Sequence, residues 1–131
     1  MIIQIEPQSD IPIYMQLTNQ IIEGIARGSL CQGDSLPSVR VFAADLGVNM
    51  HTVNKSYHEL EKRGIIRIVP KSGAVIQSPV EIEKKSPHYE RIQQEMKTVI
   101  AEALVLGFKS EQIDELVASV TKELKGKRKL K

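Results

Sequence analysis

LPSVRVFAADLGVNMHTVNKSYHELEKRG, residues 36–64, holds two short helical patterns separated by three residues. Ser38, just after Pro37, is a good N-cap for the first. Val39, Phe42, Ala43 and Leu46 recur at helical spacing and supply its apolar face. Gly47 stops it and Val48 anchors the turn. Asn49 then caps the second helix, since its side chain accepts from an orphan first-turn amide. That helix runs to about Arg63, with Val53, Tyr57 and Leu60 facing inward and Gly64 as its C-cap. Two short helices joined by a tight turn predict a helix-turn-helix.

Upstream, Tyr14, Leu17, Ile21, Ile22 and Ile25 mark one face of an amphipathic helix. Asp10 or the Ile-Pro turn after it starts this helix, and Gly28 ends it in a left-handed cap. The run GSLCQGDSLPS reads as a loop with a very short strand around Ser35 and Leu36. Downstream, IIRIVP (65–70) and AVIQ (74–77) are β-prone and flank Lys71, Ser72 and Gly73, which predicts a hairpin with Pro70 at a strand end. The fold class is therefore mainly α with a small β-hairpin: a winged helix-turn-helix over residues 1–79. The charged run VEIEKKSP, residues 80–87, reads as a linker or a helix start. Two helices follow over 88–125. The first carries Ile92, Met96, Val99, Ile100, Ala103 and Leu104 on one side and is broken by Gly107. Ser110 caps the second, whose face is Ile113, Leu116, Val117, Val120 and Leu124. Residues 126–131 form a basic, disordered tail.

Composition narrows the classes. Of 131 residues, 41% are hydrophobic and 26% charged, a globular balance. No apolar run approaches the roughly 20 residues that cross a bilayer. The opening MIIQIEPQSD lacks the basic start of a signal peptide. Cys31 is the lone cysteine, which excludes an internal disulfide and fits a reducing cytoplasm; it is expected to fill a loop contact. The net charge of +2 is unevenly spread. Residues 1–35 carry Arg27 against Glu6, Asp10, Glu23 and Asp34. Residues 36–77 carry Arg40, Lys55, Lys62, Arg63, Arg67 and Lys71 against Asp45, Glu59 and Glu61. The end, KGKRKLK, is wholly basic in its charges. This distribution suits a polyanion partner.

The second helix of the pair would enter a major groove with its first turn leading. With its inner face spent on the core, it presents Met50, His51, Thr52, Asn54, Lys55 and His58, a set without an acid. Asn pairs bidentately with adenine, Thr meets a phosphate or a thymine methyl, and Lys reaches guanine or phosphate. Arg40, two residues past the Ser38 cap, adds a fork of donors at an open helix N-terminus. The hairpin tip, Lys71-Ser72-Gly73, is small and basic and suits the backbone or the minor groove. Other readings stay open at this level. Arg40 can serve as an ion-pair partner of Asp45 or Glu61, the histidines as solvated helix residues, and the whole domain as a protein-contact module. No P-loop, nucleotide fingerprint, zinc-type Cys/His spacing or catalytic Ser/His/Asp order is present, so neither enzyme activity, nor a cofactor, nor a metal site is expected.

These motifs resemble the GntR family of bacterial regulators. The resemblance covers residues 11–78: PIYMQL, the GDSLPSVR segment, FAADLGVNMHTVNKSYHELEKRGII and the wing KSGAVI. The short C-terminal extension is similar to the YtrA-like subfamily. The resemblance implies operator contact by Arg40, contacts to bases and phosphates from Asn49, Met50, His51, Thr52 and Asn54, and a wing tip at Ser72 and Gly73. Many relatives have Ser, Arg or Thr where this chain has Asn49, Met50 and His51, so the operator sequence does not carry over. A cytoplasmic homodimeric repressor on a near-palindromic double-stranded DNA operator is implied, with an effector, if any, unidentified. About 45 C-terminal residues cannot build a core alone. Pairing of two protomers through Ile92, Met96, Val99, Ile100, Leu104, Ile113, Leu116 and Val120 would hide the stripe; the alternative is that both helices fold back on the first domain.

Overall fold

The structure, a computed structural model, describes residues 3–78 and 86–126. Most of the expected linker and the basic tail beyond Gly126 lie outside the described residues. The chain divides into two compact units, Met1–Pro79 and Val80–Lys131.

The first unit runs α1 (Ile13–Arg27), β1 (Ser35–Leu36), α2 (Val39–Leu46), α3 (Met50–Lys62), β2 (Ile66–Val69) and β3 (Gly73–Ile76). Pro12 occupies the N-cap of α1 and supplies no side-chain cap, and Gly28 closes the helix at φ 89°. Leu17 and Ile21 of α1, Phe42 and Ala43 of α2, and Val53, Tyr57 and Leu60 of α3 form the core with Leu36, Ile66, Ala74 and Ile76 from the sheet. Tyr14, Ile22 and Ile25, expected on the inner face of α1, are only half-buried. The sheet has order β1-β3-β2, antiparallel throughout, with Leu36 opposite Ala74 and Ile68 opposite Ala74 on its other side.

Several polar contacts complete this unit. Thr18 and Ser56 are fully buried at the contact of α1 with α3, and their hydroxyls meet at 2.8 Å. The Gln16 amide nitrogen donates to the Glu6 and Ile11 carbonyls, while its oxygen accepts from the Glu6 amide. Gln20 does the same with the backbone of Gln4. The N-terminal arm is thus bound to α1 by two glutamines one helical turn apart, each acting as a strand would. On β2, the Ile68 amide donates to Glu61 Oε2 (2.9 Å) and the Ile66 carbonyl accepts from Gln77 Nε2 (3.1 Å). Cys31 is exposed rather than packed, with its thiol 3.8 Å from the Gly28 carbonyl.

The second unit holds α4 (Pro87–Val105) and α5 (Ser110–Lys125). Ser86 caps α4 through the Tyr89 amide and Pro87 opens the helix, so of the two readings of this Ser-Pro the helix start holds. Gly107 turns the chain at φ 99°. Ser110 was expected as the cap of α5 but is its first residue. Lys109 holds the cap position, and Gln112 reaches back to the Lys109 amide at 2.7 Å. No residue of either helix is buried. Among the described residues no helix is long and apolar enough to cross a membrane.

Candidate nucleic-acid interface

Two caps build the helix-turn-helix. Ser38 Oγ accepts from the Val41 amide at 3.2 Å, and Asn49 Oδ1 accepts from the His51 amide at 2.6 Å. Between them Gly47 takes φ 71°, which allows the sharp reversal. The inner face of α3 is anchored through Tyr57. Its ring lies 6.2 Å from Phe42, and its hydroxyl donates to the Pro37 carbonyl at 2.6 Å. Burial pushes the Tyr57 phenol well above its ordinary value, because the phenolate would be desolvated there. That single bond ties α3 to the residue just before the α2 cap.

The outer surface makes few internal commitments among the described residues. Arg40 is exposed and forms no ion pair among the described residues. Glu61, one of its two candidate partners, is instead engaged by the Ile68 amide. Met50, His51 and Asn54 are exposed and Thr52 is half-exposed along the first turns of α3. Lys55 also faces outward, but its Nζ sits 4.2 Å from the centre of the Tyr14 ring on α1. A cation–π contact of this exposed kind contributes about 0.5–1 kcal/mol, little enough for a phosphate to compete. Arg63 is tied to Glu59 at 2.8 Å.

The wing departs from expectation at one residue. Gly73, expected in the tip, belongs to β3, where it pairs with Val69 and is buried. The strand passes so close to the β1 end that a Cβ at Gly73 would lie 2.1 Å from the Leu36 carbonyl oxygen. The demand for glycine here is internal, and the exposed tip is Lys71 and Ser72. The Ser72 amide donates to the Val69 carbonyl at 3.0 Å, with Pro70 and Lys71 at the turn centre. Lys71 takes φ 69°, the sole positive φ outside glycine among the described residues. Arg40, the start of α3 and the wing tip therefore come from three elements built on one core. The Tyr57–Pro37 bond and the missing Gly73 side chain both act on the Leu36–Pro37 segment that leads from β1 into α2. Sequence reasoning missed Tyr14 as a partner of Lys55. It also missed the glutamine clamps, whose signal was a pair of glutamines four residues apart on α1.

In the second unit the apolar residues stand out in solvent. Val99 is 66% exposed and Leu104 54%, with Ile92, Met96, Leu116 and Val120 also exposed and Ile100 and Ile113 half-buried.

A helix-turn-helix with a hairpin wing and a free basic and amide surface defines a DNA-binding regulatory domain. The gntR family of bacterial regulatory proteins matches residues 13–76. The HTH-type transcriptional repressor YtrA of Bacillus subtilis (strain 168) is 34% identical over 127 residues, covering 97% of this chain and 98% of its own. A transcriptional antiterminator from Listeria monocytogenes EGD-e superposes with TM-score 0.83 at 29% identity, over 95% of this chain and 92% of that one. YtrA from Sulfolobus acidocaldarius, a GntR-family transcription factor, gives TM-score 0.65 at 42% identity, over 80% and 99% of the two chains. The chain belongs to the GntR family, in its YtrA-like branch, and is a transcriptional regulator of winged helix-turn-helix fold.

Proposed function

We propose that this regulator is a repressor that binds a near-palindromic operator as a homodimer. The observation that carries this reading is the split character of α3: Val53, Tyr57 and Leu60 are fully buried, while the exposed side chains of Met50, His51 and Asn54 make no internal hydrogen bond among the described residues. In this reading α3 lies in the major groove. Arg40 and the α2 N-terminus take a phosphate, with Ser38 and Asn49 holding the two helix starts. Thr52 and Lys55 reach backbone or base edges, and Lys71 and Ser72 follow the adjacent backbone. Two half-sites require two copies of α3 related by a two-fold axis. The unburied apolar residues of α4 and α5 supply the matching surface, since an isologous interface would cover the same stripe on both protomers. Repression follows from occupancy, as a bound dimer blocks other proteins from the same DNA; the B. subtilis relative carries the name repressor.

Fluorescence anisotropy on the DNA upstream of the protein's own gene, at two salt concentrations, tests this. Arg40→Ala is expected to weaken binding roughly ten- to a hundred-fold, the value of a hydrogen bond to a charged group. It also lowers the log–log salt slope by about 0.9, one phosphate contact fewer. Binding as tight as wild type would refute the docking. Light scattering at micromolar concentration should give twice the 14.7 kDa chain mass.

A further inference from the structure

Two asparagines stand at the start of the recognition helix, and the structure separates their roles. A bidentate contact to adenine uses both ends of an amide: the oxygen accepts from N6 and the nitrogen donates to N7. Asn49 has its oxygen committed to the His51 amide at 2.6 Å, so it cannot read adenine this way without uncapping α3. Asn54 is exposed, and neither end of its amide has a partner among the described residues. Four residues earlier, one turn away on the same face, Met50 opens the helix. Met50 is 48% exposed, one of three exposed large hydrophobics in the described part of the first unit, with Ile11 and Val41. The core does not use it. The one apolar group that the major groove presents is the C5-methyl of thymine, and a flexible thioether chain adapts well to such a contact.

We propose that Met50 and Asn54 form the base-reading pair of α3 and select A·T base pairs. Met50 packs on a thymine methyl, and Asn54 pairs with the N6 and N7 edge of an adenine about one step along the groove. This rests on the DNA-binding reading above and adds which bases are read and by which atoms.

The test begins with duplexes selected by the wild-type chain from a randomised pool. In the selected duplex each thymine is replaced in turn by deoxyuridine, and each adenine by 7-deazaadenine. Affinities are measured for wild type, Met50→Ala and Asn54→Ala. One deoxyuridine should weaken wild-type binding about fourfold, the worth of one buried methyl. Met50→Ala should bind the thymine and uracil duplexes equally. Asn54→Ala should lose roughly five- to a hundred-fold and no longer distinguish adenine from 7-deazaadenine. Both side chains are exposed, and an unchanged melting temperature of each variant shows that the fold is intact. Tight wild-type binding that ignores every deoxyuridine and deazaadenine would overturn the assignment and leave DNA binding standing. A pool from which no sequence is enriched would overturn the DNA-binding reading itself, and the assignment with it.

Discussion

Replacing Gly73 by alanine should damage a surface that it never touches directly. At φ 124° the backbone lies in a region that L residues rarely adopt, worth about 1–3 kcal/mol of strain. The added Cβ would also lie 2.1 Å from the Leu36 oxygen and 2.8 Å from the carbonyl carbon and oxygen of Pro37. All three are backbone atoms, so no side chain can swing aside. The Pro37 oxygen is the acceptor of the Tyr57 hydroxyl, and displacing it leaves a buried donor unsatisfied at about 1–3 kcal/mol. Together these give a loss of roughly 2–6 kcal/mol, a large part of the 5–15 kcal/mol or so that holds such a domain folded. Urea unfolding followed by circular dichroism measures it. Gly47→Ala is the internal control: φ is 71° but nothing lies within 4 Å of the new Cβ, so only the left-handed conformation costs, about 1–2 kcal/mol. If the Gly73 variant is no less stable than the Gly47 variant, the close approach of β3 to Pro37 is not rigid and the reasoning is wrong.

Lys71→Gly should raise stability by up to about 1 kcal/mol, because φ 69° suits glycine, while lowering the salt slope of DNA binding by about 0.9. A destabilised variant would contradict the strain assigned to that turn. Tyr57 makes stability depend on alkaline pH. Its folded phenol is held above its ordinary value, so the unfolded chain ionises first, near pH 10. Its contribution is therefore complete below about pH 10 and is lost above it by up to about 1.4 kcal/mol per pH unit. Tyr57→Phe should cost about 1 kcal/mol at neutral pH through the lost Pro37 bond and should decline less above about pH 10; parallel declines in urea titrations would exclude Tyr57 as the source. Ile100→Glu should leave the thermal unfolding of the first unit unchanged while halving the mass in solution and weakening operator binding. A persistent dimer would place the interface elsewhere.

The elements carried by apolar spacing are legible in the sequence. Val53, Tyr57 and Leu60 recur at one helical pitch, and all three are fully buried. The caps at Ser38 and Asn49 were equally legible, since both act within three residues of chain. What escaped depends on partners far apart in sequence. Ser56 carries no sequence signal of burial, and Thr18, 38 positions away, supplies its hydrogen bond. Glu61 reads as one more helix acid until the Ile68 amide meets it. The sequence also placed Gly73 in the tip and Gly64 at the helix cap by their type alone. In the structure Arg63 is the cap and Gly64 follows at φ 78°. Gly73 is demanded by a neighbouring strand that local patterning does not show. The wing's basic tip survived this correction because Lys71 and Ser72 remain outside.

The contacts along β2 bear on how this protein behaves when crowded. A three-stranded sheet has two borders, and each is a place where another polypeptide can add itself. One border is β1, only two residues long. The other has its outward amide at Ile68 taken by a carboxylate and its outward carbonyl at Ile66 taken by a carboxamide. Neither offers a run of vacant groups for a strange strand to copy. A foreign strand that approaches the wing therefore finds little of this edge to pair with.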